Sequence, residues 1–409
     1  MNDLARTIPA DRYTSPTWLA RELASVFGVG WLLAAHVSEL EGAGAFTTFD
    51  IAGESILIAR GDDGALRGFY NVCQHRGASL CAQSNGRAAS FRCPYHHWEY
   101  ATDGRLLRAP GAGPAALTEE GRPVSLRPVH CAERFGFVWI SMAEAPPDLD
   151  AHLAPIATEL ARHRPEEFRL VSETVVEIEA NWKASVDVNN EAYHLPTLHP
   201  ELGDVVDARG VRFVLCGDHS TVSLPMGRPG RDVAPDERAS AGLRGLLVRL
   251  GVKDFPSDGR VADVRPAIAR AFRERARREG FDLSARSDDE LARKEQIHVF
   301  PNVQMNFLPF SLELYRHRPH PTDPSRSWFD ELTFERRGSG AAPKPNRRRF
   351  RHGEHDLGPV MGADVDMLAR LQTGMRSRGF RALRLTDGEL GIAHMHSVLE
   401  AWLSRGPAT

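Results

Sequence analysis

Two short stretches, Cys73-Gln74-His75 and Cys93-Pro94-Tyr95-His96, constrain this chain more than anything else in it. Each offers one thiol and one imidazole, two positions apart in the first and three in the second. Seventeen residues lie between His75 and Cys93. Such a Cys₂His₂ set suits either zinc or a [2Fe–2S] cluster in which two imidazoles replace two thiolates on one iron. The spacing separates the two. A zinc finger takes both thiolates from one hairpin and both imidazoles from one helix. Here each stretch supplies one of each, as two loops gripping a cluster with a sulfur-ligated and a nitrogen-ligated iron would.

The fuller stretches, Cys73-Gln74-His75-Arg76-Gly77 and Cys93-Pro94-Tyr95-His96-His97-Trp98, resemble the Rieske proteins. With 409 residues, the chain has room for two domains of ordinary size. Its 42% hydrophobic and 26% charged residues are those of a globular protein, neither disordered nor membrane-spanning. A net charge of −3 gives no basic field for nucleic acid. The N-terminus, Met1-Asn2-Asp3-Leu4-Ala5-Arg6, lacks the apolar core of a signal peptide. Five cysteines, two of them assigned to the cluster, leave Cys81, Cys131 and Cys216, an odd number that argues against a disulfide framework. A reducing cytoplasm fits both free thiols and an oxygen-sensitive metal centre.

Residues Pro16 to Gly28 read as a short helix, with Leu19, Leu23, Val26 and Phe27 on one face. From Trp31 to Met142 short strand patterns such as Thr47–Ile51 and Ser55–Ile58 alternate with Asp63-Gly64 and Asp103-Gly104 turns. This reads as a small antiparallel β domain carrying both cluster loops and closed by the strand Phe135–Ile140. Pro146-Pro147 marks a boundary. Beyond it, Leu149–Arg162 reads as a helix, Val171–Glu179 as a strand and Asn181–Tyr193 as a helix. Pro266–Gly280 reads as an amphipathic surface helix whose arginines face solvent. Strand patterns return at Ile297–Phe300, Val303–Leu308, Leu312–Tyr315 and Trp328–Phe334. Arg336–Gly358, with the run Arg347-Arg348-Arg349-Phe350-Arg351, reads as a basic loop, solvated or docking an acidic electron-transfer partner. Helices at Asp364–Arg378 and Ser397–Leu403 follow.

A second constellation is Glu191-Ala192-Tyr193-His194 followed by His199. Pro196 breaks helical continuity between the two histidines, placing them at a helix end and its following turn. Two imidazoles and one carboxylate with open positions form the facial triad of non-haem Fe(II) oxygenases. A His-x₄-His pair alone is weak evidence, since histidine is often a satisfied polar core residue.

Taken together, Asn181-Trp182-Lys183, Glu191-x₂-His194-x₄-His199 and the upstream Cys/His motif resemble the large (α) subunit of Rieske non-haem iron oxygenases, the ring-hydroxylating oxygenase family, from about residue 30 to 403. The resemblance implies an α+β architecture. Residues 1–30 form an N-terminal helical segment of the catalytic domain, 31–145 a Rieske-type antiparallel β domain, and 146–409 a helix-grip domain in which an antiparallel sheet curls around a long C-terminal helix. It also implies two cofactors. A [2Fe–2S] cluster falls on Cys73, His75, Cys93 and His96, and a mononuclear Fe(II) on His194, His199 and an aspartate several residues before a Gln-x-Gly. Gln372-Thr373-Gly374 is present and Asp364 stands two helical turns earlier; helical phase favours Asp364 over its rival Asp366. Glu191, where most members carry aspartate, is expected to bridge His194 of its own subunit and His96 of a neighbour, in a ring of three subunits with or without a small β subunit.

The implied reaction hydroxylates a small molecule with O₂ and electrons from a separate reductase or ferredoxin. No dinucleotide-binding glycine loop accompanies the chain, since Gly111-Ala112-Gly113 is followed by Pro114. Family frequency makes the expected substrate aromatic or alicyclic. The alternative is a quaternary amine, because glutamate at the Glu191 position also occurs in members resembling carnitine and glycine betaine oxygenases. Phe213, Phe300, Phe307, Phe310, Tyr315, Trp328 and Phe329 read as strand core or as the wall of either pocket. An electron carrier or ligand-binding protein without oxygenase activity is the third reading, and the set Glu191, His194, His199 and Asp364 argues against it.

Overall fold

The computed structural model describes residues 4, 6–113, 117–337 and 344–406. Most of the N-terminal Met1–Ala5 stretch, and the Pro114 that follows Gly113, lie outside it. Backbone contacts divide the chain into two compact units. One is Pro16–Leu170 with Pro319–Asp323 and the C-terminal end from Ala401. The other is Val171–Arg318 with Pro324–Glu400 and the N-terminal end up to Ser15. Among the described residues no helix is long and apolar enough to cross a membrane.

The first unit is built on a seven-stranded antiparallel sheet in the order Leu32–His36, Phe137–Ser141, Pro128–Arg134, Leu66–Tyr70, Glu54–Arg60, Ala45–Ile51, Asn85–Arg87. Alternation buries Phe49 and Ile51 and leaves Asp50 exposed. A three-stranded sheet, Ser90–Arg92, Glu99–Ala101 and Leu106–Arg108, carries the second cluster loop. Its Asp103-Gly104 turn needs glycine: φ is +90°, and a Cβ there would lie 2.5 Å from the Phe69 ring. Residues 16–30, assigned to the catalytic part from sequence, group with this unit. The expected helix is there, but its second half, Leu23–Phe27, widens to a π-helix. The Leu149–Arg162 helix is likewise split by a 3₁₀ turn at Ala154–Ile156, where Pro155 sits in the first turn of a restart.

The second unit holds an eight-stranded sheet in the order Arg212–Cys216, His219–Pro225, Arg293–Val299, Val303–Phe307, Ser311–Pro319, Ser327–Arg336, Phe168–Ile178, Asn346–Arg351. The helix Pro359–Met375 packs Val365, Leu368 and Met375 against Val176, Ile178, Tyr315 and Phe329 on one side of it, the helix-grip arrangement. Of the aromatics singled out, Phe300, Phe307, Phe310, Tyr315 and Phe329 are buried in this unit, so most serve as core. The helix expected from Pro266 begins at Val261 and contains Pro266 in its second turn.

The basic loop is corrected. Residues 338–343 of it lie outside the described residues, and Asn346–Arg351 is a strand running parallel to Phe168–Ile178, with Arg348 opposite Thr174. Arg347 pairs with Glu173, and Arg348 with Asp356. Charged side chains are what an edge strand carries to prevent further pairing, and from composition such a strand reads as a solvated loop.

On the opposite side of the sheet, Asp330 is fully buried. It accepts from Arg316 Nε at 2.9 Å and from Arg318 Nε and Nη2, both at 2.7 Å. Burial works against its charge, but the two guanidiniums hold its pKa below the usual carboxylate range. Asp330→Ala should remove the carboxylate that Arg316 and Arg318 share and destabilise the protein by about 3–5 kcal/mol. Denaturant midpoints of wild type and variant measure this, and an unchanged midpoint would refute it.

Candidate metal centres

The two cluster loops repeat one backbone device. In the first, the Gly77 amide donates to the Cys73 carbonyl (3.0 Å) and the Cys73 amide to the Ala78 carbonyl (2.9 Å). In the second, the His97 amide donates to the Cys93 carbonyl (3.1 Å) and the Cys93 amide to the Trp98 carbonyl (2.8 Å). The residue four places after each cysteine is left-handed: Gly77 at φ +76° and His97 at φ +59°. Glycine adopts this freely, whereas histidine is among the few side chains enriched there.

These turns bring His75 beside His96 and Cys73 beside Cys93. His75 and His96 have ring centroids 4.6 Å apart, and the Trp98 ring stacks on His75 at 4.8 Å and 6°. Cys73 and Cys93 are buried in the core of the unit, and burial, with Cys93 alongside, raises the Cys73 thiol pKa. The Tyr100 hydroxyl accepts from the Gln74 amide (3.1 Å), which turns its own proton toward Cys73 Sγ at 3.5 Å. The sequence motif contains no signal for Tyr100; its place on the strand paired with Ser90–Arg92 puts it there. The buried Nδ1 of His96 has no hydrogen-bond partner. An imidazole nitrogen buried without a partner among the described residues costs free energy as it stands, and with the two buried thiols it fits a cationic metal cluster.

In the second unit, the helix expected over Asn181–Tyr193 spans only Trp182–Val188. Asn181 caps it, its side chain accepting from the Lys183 amide at 3.0 Å. The segment that follows is held by side chains. Gln296 Nε2 donates to the Asn189 carbonyl (2.7 Å) and Asn190 Nδ2 to the Gly391 carbonyl (2.9 Å). Pro196 starts a helix instead of breaking one. It lies in the first turn of Leu195–Leu198, where its missing N–H costs nothing, so His194 and His199 flank that turn.

His194, His199 and Asp364 each offer a ligand atom, all within 4.8 Å of one another. Asp364 Oδ1 lies 2.7 Å from His199 Nε2 and 3.5 Å from His194 Nε2. Burial raises the Asp364 pKa although both imidazoles oppose it. Burial also works against a charge on His194, but the Glu191 carboxylate, with Asp364 beyond, outweighs it and raises its pKa. Glu191, 7% exposed, closes the turn from within: it accepts from the Tyr193 amide, the His194 amide (3.1 Å) and His194 Nδ1. With Nδ1 so engaged, His194 Nε2 is left buried without a hydrogen-bond partner, as is His199 Nδ1. Two imidazoles and a carboxylate with orphaned nitrogens fit an octahedral iron with open positions. Asp366 points elsewhere; its carboxylate is 63% exposed and lies 3.2 Å from His355 Nε2.

Sequence reasoning left out a buried network behind this site. The Tyr13 hydroxyl donates to Asp187 Oδ2 (2.6 Å) and lies 2.8 Å from His396 Nε2. Asp187 alone gave no signal, because its partners come from the two ends of the chain.

Comparison with known proteins matches residues 30–126 to the Rieske [2Fe-2S] domain and residues 165–405 to the ring hydroxylating alpha subunit (catalytic domain). The chain is 36% identical to the glycine betaine monooxygenase oxygenase subunit of Chromohalobacter salexigens, over 48% of this chain and 44% of that protein. It is 36% identical to the carnitine monooxygenase oxygenase subunit of Escherichia coli, over 49% of this chain and 54% of that protein. The chain thus spans about half the length of the curated relatives it matches. In structure it is similar to a quaternary ammonium Rieske monooxygenase crystallised with L-carnitine (TM-score 0.71, 22% identity, 98% and 96% of the two chains). It is also similar to naphthalene 1,2-dioxygenase with bound indole (TM-score 0.70, 17% identity, 97% and 92%). The cofactors implied by the two matched domains are a Rieske [2Fe–2S] cluster and a mononuclear iron. The chain belongs to the ring-hydroxylating oxygenase alpha-subunit family.

Proposed function

We propose that this chain is the terminal oxygenase of a Rieske monooxygenase system that uses O₂ to hydroxylate, or oxidatively demethylate, a quaternary ammonium compound. The observation that carries the oxygenase reading is the convergence of His194, His199 and Asp364, each imidazole with a buried nitrogen that has no hydrogen-bond partner among the described residues, in a chain that also holds the Rieske loops. An electron carrier needs only the latter. The curated relatives named above act on glycine betaine and carnitine, and Glu191 agrees with that pattern. The aromatic or alicyclic substrate expected on family frequency has weaker support, since the likeness to naphthalene 1,2-dioxygenase is one of fold.

In this reading Cys73, His75, Cys93 and His96 hold the cluster and His194, His199 and Asp364 hold the iron. When bound, the two centres supply one-electron transfer and activation of O₂. The chain supplies orientation and protons. Trp98 fixes the His75 ring by stacking, and Tyr100 donates to Cys73, which stabilises the more negative state of the sulfur. Glu191 holds the proton of His194 on Nδ1 and so aims Nε2 at the metal. Electrons come from a separate NAD(P)H-dependent reductase, with or without a ferredoxin. The matched spans support a Rieske domain at 31–145 and a catalytic domain at 146–409, though the contacts group residues 16–30 with the former. A cytoplasmic location suits the free thiols of Cys81, Cys131 and Cys216. Assembly is a ring of three that brings the neighbour's His96 to Glu191.

Cys73→Ser should abolish the Rieske paramagnetic signal and leave the mononuclear iron bound, while His194→Ala should do the reverse and lose all turnover. Zinc in place of iron in the wild type would end this reading. Asp364→Ala should also lose the mononuclear iron, whereas Asp366→Ala should retain it; iron analysis of the two variants separates the candidates. Glu191→Gln presents a donor where one imidazole needs an acceptor. Both metals should stay, and oxidation of the reduced cluster in a single turnover with substrate and O₂ should slow by orders of magnitude. Wild-type oxidation rates in that variant, or a fully active monomer on sizing, would remove the bridge between subunits.

A further inference from the structure

The wall of the catalytic unit beside Asp364 carries a carboxyl group, Glu331, for which the described residues offer no partner. Alternate residues of a strand share a face. Tyr315 and Phe329, rings 5.3 Å apart, belong to the core under the helix Pro359–Met375. Glu313 and Glu331, two residues away on the same strands Ser311–Pro319 and Ser327–Arg336, therefore look to the same side of the sheet. Asp364 lies on that helix next to Val365, which shares the core with Tyr315, and its charge is felt at the Tyr315 phenol.

The other charged groups around this wall are committed. Lys294 Nζ lies 2.7 Å from Glu313 Oε2, and the Tyr315 hydroxyl donates to the same oxygen at 3.2 Å. Arg348 is directed to Asp356 and to Thr174 Oγ1. Glu331 is partly buried and, among the described residues, has no hydrogen bond or ion pair. Glu313 and Glu331 face each other electrostatically, and Glu331 resists ionisation: burial, then Glu313, with Asp356 adding, raises its pKa to about 7 against the pull of Arg348 and Lys294. Like charges on neighbouring strands destabilise a sheet. A chain that keeps one carboxyl unpaired beside its reactive centre has left a place for a cation that is not its own.

We propose that Glu331 is the specificity-determining residue of this site, its carboxylate receiving the trimethylammonium head of the substrate. This rests on the quaternary ammonium reading above. A quaternary nitrogen offers no N–H, so the recognition is charge against charge, and Lys294, held by Glu313, cannot take the cation's place.

The test uses the iron-loaded protein and two probes that differ in one atom and one charge: glycine betaine and 3,3-dimethylbutanoate, in which carbon replaces the nitrogen. Titration calorimetry should show betaine preferred in the wild type. Glu331→Gln should weaken betaine by roughly 10- to 100-fold and leave the carbon analogue unchanged. Glu331→Asp, which retains the charge, should keep the preference at lower affinity, and does so independently if the glutamine variant folds poorly. The wild type supplies a third readout. Because Glu331 is neutral below its raised pKa and charged above it, the preference should grow from about pH 6 to about pH 8, and that growth should vanish in Glu331→Gln. Glu313 with Lys294, Tyr315, Asp356, Arg348 and Asp364 face the same space and remain in the variant. Undiminished preference in Glu331→Gln, or a wild-type preference flat across that pH range, overturns the role of Glu331 alone. Failure of the wild type to bind betaine or carnitine overturns the substrate reading and this inference with it.

Discussion

The catalytic unit depends on a buried hydrogen bond from the Asn181 amide to Gln372 Oε1 at 2.9 Å. Gln372 lies on the helix Pro359–Met375, and Asn181 caps the helix Trp182–Val188 that leads to the histidines. The same Gln372 donates through Nε2 to the Tyr13 carbonyl (3.2 Å), and Asn181 Nδ2 donates there and to the Pro324 carbonyl (2.7 Å). All these groups are buried, so each would cost about 1–3 kcal/mol if left unpaired. The network thereby fixes the rotation of one helix against the start of the other. Asp364 is presented from two turns before Gln372, and His194 and His199 from the chain after Val188. A rotation of the first helix by one residue would exchange Asp364 for a neighbour and dissolve the triad.

That rigidity explains how the site tolerates arrangements that a core would reject. Asp330 and Glu331 are adjacent in sequence and on opposite sides of the sheet, and they are treated in opposite ways. Asp330 is saturated by two guanidiniums, as a buried structural charge must be. Glu331 is left alone, with burial pressing it toward neutrality. Asp187 accepts from the Tyr13 hydroxyl with His396 alongside, and Asp364 lies between two imidazoles that each keep one nitrogen without a hydrogen-bond partner among the described residues. The unpartnered imidazole nitrogens of His194 and His199 lie where a ligand is to come, and the hydrogen bonds among Asn181, Gln372 and Tyr13 hold the elements that present them.

Legibility in the sequence followed the locality of each signal. The four cluster residues and the His194/His199 pair announced themselves because their spacing is set by single turns. Asp364 was separable from Asp366 because helical phase is also local. What stayed hidden was whatever depends on distant segments meeting. Tyr13, Asp187 and His396 come together from the start, middle and end of the chain. Glu331 looked like one more polar position in a strand, and its isolation became visible only once Lys294 and Arg348 were seen to be taken. The basic run after Asn346 misled because composition alone cannot tell an edge strand from a loop. Pro196 misled because the same residue that breaks a helix interior opens a first turn.

The two metal centres are held by different means, and this bears on what each must do. The cluster loops are locked by main-chain hydrogen bonds to each cysteine, repeated with the same offsets in both, so the backbone that presents each sulfur is fixed by main-chain geometry. A centre that exchanges one electron without changing ligands gains from such stiffness, because reorganisation on transfer is small. The triad is held through side chains, with Glu191 on His194, Gln296 and Asn190 on the segment before it, and Gln372 on the helix opposite. Side-chain tethers yield by rotamer and by proton, so a substrate bound against this wall can alter the site through the groups it touches. The backbone-locked centre gives constancy and the side-chain-tethered one responsiveness, and the two-centre chemistry proposed above calls for both in one chain.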